Sequence, residues 1–203
     1  MKVKNIYVVR HGETDWNKAH RFQGQTDVPL NLKGQEQALA LAPIMSQLQI
    51  EAVYTSSLMR AWKSAEIATQ ELNLTVNRDE RLRETNLGVV EGLTFEEIVT
   101  CFGEAMIKNW RDYDERLLDF GFPEGETKRQ MMIRIRTVML DIAQSSNRKN
   151  IAVFAHGMVM RAMTYVFGSG IPWEQHAFSN GAVHHFIWSD DQPEFLTYKG
   201  RRN

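Results

Sequence analysis

The chain has 203 residues, 43% hydrophobic and 24% charged, an ordinary globular balance that excludes global disorder. That length suits one domain spanning residues 1–203 and is enough to bury a core without metals or disulfides. Lys and Arg number 24 against 25 Asp and Glu, so the net charge of −1 excludes a broadly basic nucleic-acid surface while permitting a local cationic pocket.

The N-terminal apolar run, residues 6–9, stops at Arg10-His11 and is too short for a secretory leader. It reads as a strand over residues 5–9, covered on both faces because its apolar residues are consecutive. A helical pattern follows over residues 34–48, with Ala38, Leu41, Met45 and Leu48 on one face and a kink implied by Pro43. A strand at 51–55 leads to Ser57, a candidate cap for a helix whose stripe is Ala61, Ala65, Ala68 and Leu72. A short strand is read at 74–76. Residues 88–126 break the alternation; they are charged and aromatic and read as a helical insertion within the domain, over the sheet edge and the site. Thr94 and Glu97 form a capping-box pattern there. A long helix over 127–142, strands at 151–155, 182–188 and 194–198, and a basic, frayed tail at 199–203 complete the chain. Strands alternating with helices predict a three-layer α/β/α sandwich with a mostly parallel sheet. Phe186-Ile187-Trp188 could be an edge that pairs with a second copy as a homodimer, though the sequence leaves the oligomeric state open. No apolar run approaches the ~20 residues of a membrane span. With Cys101 alone there is no intrachain disulfide, and a reducing, cytoplasmic location without membrane partners is the expectation.

One internal echo points to chemistry. Val8-Val9-Arg10-His11-Gly12 and Val153-Phe154-Ala155-His156-Gly157 are each an apolar strand stopping at His-Gly. Ligands in open parallel sheets bind beyond the carboxyl ends of strands, where both pairs fall. A cation such as Arg10 at the mouth of an apolar strand needs an anionic partner. Arg60, in the first turn of the helix after strand 51–55, adds a guanidinium at a helix end suited to phosphate. Asn17 and Gln23-Gly24 add polar groups on the following loop. Two imidazoles and two guanidiniums around one phosphoryl group would let a neutral His attack phosphorus while Arg10, Arg60 and His156 steady the equatorial oxygens. A carboxylic acid would protonate the departing alkoxide. Glu84 competes for that role with Glu80, Glu91 and Glu13, and a salt bridge to Arg81 or Arg83 is its bland alternative. His184-His185 cannot chelate jointly, since neighbouring strand residues face opposite ways. Cys101 and most methionines read as core filler, and His20 and His176 as surface or structural residues.

Arg10-His11-Gly12-Glu13-Thr14-Asp15-Trp16-Asn17 resembles the signature of the histidine phosphatase superfamily, the phosphoglycerate-mutase-like enzymes. Five further blocks follow in that family's order: Phe22-Gln23-Gly24 with Asp27-Val28-Pro29-Leu30-Asn31, Tyr54 with Thr55-Ser56-Ser57 and Arg60-Ala61, Leu82-Arg83-Glu84 with Gly88 and Glu91-Gly92, Pro123-Glu124-Gly125-Glu126, and Ala155-His156-Gly157. The resemblance implies that His11 becomes phosphorylated and that Glu84 gives and takes the proton. It implies too that Arg10, Asn17, Gln23, Gly24, Arg60, His156 and Gly157 hold the phosphoryl group or substrate; Thr14 of the same signature is placed with them. It implies no metal and no cofactor.

The mutases of that family are generally longer and carry more basic residues after the proton donor. Here Lys108, Arg111 and Arg116 alternate with acids, Met158 follows His156-Gly157, and Trp62 stands where some relatives have a basic residue. The short, broad-specificity phosphatase branch is the closer likeness. The expected activity is metal-independent hydrolysis of a small phosphorylated metabolite through a phosphohistidine, with residues 110–122 shaping the leaving-group pocket. The alternatives are a bisphosphoglycerate-dependent phosphoglycerate mutase and, in another class, a catalytically silent binding domain.

Overall fold

The computed structural model describes residues 1–168 and 178–202; the His176 expectation falls outside them. In chain order the elements are β1 (Val3–Arg10), α1 (Asp15–Lys18), α2 (Leu32–Ala40), α3 (Ala42–Gln47), β2 (Ala52–Ser56), α4 (Met59–Thr69), β3 (Val76–Asp79), α5 (Phe95–Phe102), α6 (Glu104–Arg111), α7 (Lys128–Ser145), β4 (Asn150–Ala155), α8 (Gly157–Val166), β5 (Val183–Ser189) and β6 (Leu196–Arg202).

Six strands form one sheet in the order β3-β2-β4-β1-β5-β6. The pairs β1–β4, β2–β4 and β2–β3 are parallel, whereas β5 runs antiparallel to both β1 and β6. The period of two along β1 sorts its side chains between two cores. Ile6 and Val8 pack with Met131, Ile135 and Met139 of α7 and Val159 and Met163 of α8. Tyr7 and Val9 pack on the other face with Met45 of α3 and Ala65 and Ala68 of α4. Ile151 and Val153 of β4 share the first core, Ala152 and Phe154 the second. Each fully buried Val or Ile contributes about 1.5–3 kcal/mol. A strand buried on both sides therefore holds its C-terminal end, and the residues just beyond it, in a fixed place.

Several local readings shift. The helical pattern at 34–48 divides into α2 and α3, with Pro43 in the first turn of α3, where its missing N–H costs nothing. Ser57 does not cap α4: Leu58 is the N-cap residue, and Ser57 Oγ accepts from Arg83 Nε at 2.7 Å instead. The strand read at 74–76 lies at Val76–Asp79. The tail expected to fray is β6 through Arg202, pinned by Arg202 Nη2 donating to His185 Nδ1 at 2.6 Å; Asn203 lies outside the described residues. Phe186, Ile187 and Trp188 belong to β5, an interior strand, and so cannot offer an edge to a second copy. Cys101, in the last turn of α5, is exposed rather than buried.

Residues 88–126 carry α5 and α6 around their own apolar cluster of Leu87, Val90, Ile98, Ile107, Trp110 and Phe122. Phe22 and Met158 pack against it and join it to the sheet layer. The Thr94–Glu97 capping box forms, Thr94 N–H donating to Glu97 Oε2 at 2.7 Å. The segment covers the carboxyl ends of the strands rather than the sheet edge: Thr94, Phe95, Glu96 and Arg111 line a cleft there together with Arg10 and His11. Among the described residues no helix is long and apolar enough to cross a membrane.

Candidate active site

The cleft has a volume of about 810 Å³. His11 enters it from the end of β1. Its Nδ1 lies 2.6 Å from the Gly12 carbonyl, so Nδ1 carries the proton and Nε2 keeps its lone pair. The loop after it is held by backbone contact with α2: a Cβ on Gly12 would sit 2.2 Å from the Gly34 carbonyl, and one on Gly34 would sit 2.0 Å from that of Glu13. Gly12 N–H also donates to Ser64 Oγ at 3.0 Å, which in turn donates to the Arg60 carbonyl at 2.7 Å.

His156 ends β4 and is wholly buried, its ring centroid 5.1 Å from that of His11 at a tilt of 59°. Neither ring nitrogen of His156 has a hydrogen-bond partner among the described residues, and the same holds for Arg10 Nε and Arg60 Nε. Buried polar nitrogens without partners are costly. Their convergence makes an oxyanion the group that satisfies them. Arg60 is fixed by donating Nη1 to the Thr26 carbonyl at 2.9 Å and Nη2 to the Gly24 carbonyl at 2.7 Å. Arg10 Nη1 donates to the Phe178 carbonyl.

Burial, with Arg60 and Arg10 adding to it, holds the His11 imidazole well below its ordinary pKa; burial, Arg60, His11 and Arg10 do the same for His156. Both rings are neutral at pH 7, the form that can attack phosphorus. Burial pushes the Arg60 guanidinium down to about 10, partly opposed by Glu84, Asp27 and Glu91, so it stays cationic. Burial also lowers Arg10, with Glu84 opposing.

Glu84 lies across the cleft. Its Oε2 accepts from Met158 N–H at 3.1 Å in the first turn of α8, and its Oε1 accepts from Thr85 N–H at 2.9 Å. Neither Arg81 nor Arg83 is its partner: Arg81 pairs with Asp79 and Asp141, and Arg83 with Glu80. The competing acids are occupied elsewhere. Glu91 accepts from Gln25 N–H, Leu87 N–H, Thr26 N–H and Thr26 Oγ1, shaping the loop that carries Gly24. Gly24 has φ +52°, and a Cβ there would meet Glu91 Oε1 at 2.0 Å. Glu13 accepts from Asn31 and pairs with Lys33.

Gln23, Gly24, Asn17 and Gly157 line the cleft with Arg10, His11, Arg60 and Glu84. Thr14 does not. It is fully buried, its hydroxyl accepting from Asn17 N–H at 3.1 Å as the α1 N-cap and donating to Gln23 Oε1 at 3.0 Å. It orients the Gln23 amide, which does line the cleft. Arg111 is the cleft-lining residue of the 110–122 stretch, stacked 4.8 Å from the Phe95 ring, while Trp110 and Phe122 lie in the cap's core. His20, read as a surface residue, is exposed at the cleft mouth.

Ser64, Asn180 and Arg161 were not among the sequence candidates. Asn180 Nδ2 donates to the His11 carbonyl at 3.0 Å and to Asn17 Oδ1 at 3.2 Å. Arg161 lines the cleft one turn into α8. The Asn180-Gly181 turn pair and the placement of Ser64 one turn after Arg60 are the signals that could have found two of them. Among the described residues no group of three His, Cys, Asp or Glu side chains could hold a metal ion.

The sequence pattern of the histidine phosphatase superfamily (branch 1) matches residues 6–200. A probable phosphoglycerate mutase GpmB of Escherichia coli is 34% identical over 161 residues, covering 76% of this chain and 70% of that protein. A mycobacterial glucosyl-3-phosphoglycerate phosphatase, solved in complex with VO3, superposes with a TM-score of 0.83 at 25% identity, covering 97% of this chain and 98% of that one. Bacillus stearothermophilus YhfR gives a TM-score of 0.84 at 26% identity, covering 97% and 95%.

Proposed function

The chain belongs to the histidine phosphatase superfamily, branch 1, and from that premise we propose that it is a phosphatase hydrolysing small phosphomonoesters through a phosphohistidine on His11. The observation that carries the reading is the neutral His11 imidazole, its Nδ1 tied to Gly12, set among the unpartnered nitrogens of Arg10, Arg60 and His156. In the first step His11 Nε2 attacks phosphorus, the P–N bond forms, and the ester P–O bond breaks with its electrons on the leaving oxygen. Glu84 gives that oxygen its proton. In the second step water attacks the phosphohistidine and its proton passes to Glu84. The P–N bond then breaks, freeing phosphate and neutral His11. Arg10, Arg60 and the His156 N–H stabilise the equatorial oxygens in both steps. Asn17, Gln23, Gly24 and Gly157 shape the surrounding pocket, and a small phosphorylated metabolite is the substrate class.

His11→Ala should abolish hydrolysis of 4-nitrophenyl phosphate, and a chelator should leave the wild-type rate unchanged. Full activity in that variant would exclude the mechanism. The resemblance to a protein named as a probable phosphoglycerate mutase supports a second reading, in which the phosphohistidine returns its phosphoryl group to another hydroxyl. Free phosphate measured against isomerised phosphoglycerate, with and without bisphosphoglycerate, separates the two; isomerisation with little phosphate released would reverse the assignment.

A further inference from the structure

The segment carrying Glu84 is not held by the sheet. It follows β3 through a short turn of 3-10 helix at Glu80–Leu82, so its place must be fixed by side chains. Arg134, on α7, reaches it. Nη1 of Arg134 donates to the Arg81 carbonyl at 2.7 Å and to the Arg83 carbonyl at 2.8 Å, and Nη2 donates to Glu126 Oε1. The Arg83 carbonyl belongs to the peptide unit that enters Glu84. The carbonyl of Glu84 itself accepts from Gln25 Nε2 at 3.0 Å. Both peptide planes flanking Glu84 are thus gripped by side chains from distant elements.

Glu126 has a separate part. Arg134 is about four-fifths buried, its side chain 20% exposed beside a Glu126 side chain that is 17% exposed. A guanidinium in that position with no carboxylate of its own would be drawn to the nearest other one. Glu84 is close enough to Glu126 that their charges interact. By pairing with Glu126, Arg134 supports the Glu84 backbone and leaves the Glu84 carboxylate to Met158, Thr85 and the cleft.

We propose that Arg134, anchored by Glu126, is a positioning residue that sets the Glu84 carboxyl for proton transfer to the leaving group; this rests on the reading of Glu84 as proton donor.

The test uses the dependence of the first chemical step on leaving-group protonation. An alkoxide leaves poorly without a proton, whereas 4-nitrophenolate leaves as a stabilised anion. Because kcat/KM covers only steps through phosphoryl transfer, it isolates the donor from later hydrolysis of the phosphohistidine. Arg134→Met should lower kcat/KM for 2-glycerol phosphate by on the order of 10²-fold, in the range general acids contribute, and for 4-nitrophenyl phosphate by only a few-fold. Arg134→Lys, which keeps the charge but cannot span both carbonyls and Glu126, should show the same split to a smaller degree, and it serves if the Met variant does not fold. Glu84→Gln sets the reference split. Equal losses on the two substrates in the Arg134 variants, beside a clear split in Glu84→Gln, would overturn the positioning role alone. No split in Glu84→Gln would remove its premise, and retained activity in His11→Ala would remove the proposed function instead.

Discussion

The imidazoles of His11 and His156 stand 5.1 Å apart, both buried and both held well below their ordinary pKa. Burial is the largest cause for each ring, and Arg60 is the next. In the unfolded chain both rings return to about 6.5, the ordinary histidine value. The unfolded state therefore binds protons below that pH that the folded state refuses, and stability falls with pH there. The contribution is fully present above the unfolded value and is lost as the pH drops below it toward the depressed folded values. The thermal unfolding midpoint should fall between about pH 7.5 and pH 5.5, the span in which histidines titrate. His156→Gln should fall less steeply. A midpoint that rises on acidification would show that the rings are not buried neutral bases.

Gly34 tests the backbone contact that seats the His11 loop. Ala is favoured over Gly inside a helix by about 1 kcal/mol. Here the new Cβ would lie 2.0 Å from the Glu13 carbonyl and 2.7 Å from its nitrogen, backbone atoms that cannot swing aside. Overpacking of this kind costs about 1–3 kcal/mol, and the contact falls at the upper end. Gly34→Ala should lower stability by a net ~2 kcal/mol, read from the urea midpoint, and lower kcat/KM as Glu13 and the loop move. A stabilised variant would mean that the helix gain outweighs the contact.

Lys128 is fully buried in the first turn of α7, and its Nζ donates to the Asn109 carbonyl at 2.8 Å and to that of Asp112. Those carbonyls flank Arg111, so one ammonium group fixes the end of α6 that reaches the cleft. Hydrogen bonds to a charged donor are worth about 1.5–3 kcal/mol. Lys128→Met should cost about that much stability and speed amide exchange across α5 and α6. KM should rise for substrates with large leaving groups more than for 4-nitrophenyl phosphate. Unchanged exchange in the two helices would remove Lys128 as the tie.

Much of this site could be read from local pattern. Arg10, His11 and His156 are legible because each sits where an apolar strand stops, and strand ends are where α/β sheets bind ligands. Thr14 and Glu91 were harder, because their roles turn on a single helix start and a single loop path. Thr14 sits one residue before α1 and is used up as its cap. Glu91 is enclosed by backbone N–H groups that no spacing announces. The strand read at 194–198 runs on as β6 to Arg202; that extension escaped because a bulge opposite His185 and Phe186 breaks its alternation, and Gly200 at φ +106° sits beside the irregularity. Arg134 and Lys128 look like solvated helix cations in sequence; only the tertiary fold places backbone carbonyls around them.

In the proposed mechanism phosphoryl transfer passes through His11. Rapid quenching of the protein with a 32P-labelled phosphomonoester, followed by peptide mapping, tests it most directly. The label should be acid-labile and alkali-stable, confined to the peptide containing His11 and absent in His11→Ala. Label on another residue, or burst-free turnover at full rate with none on the chain at any quench time, would contradict it.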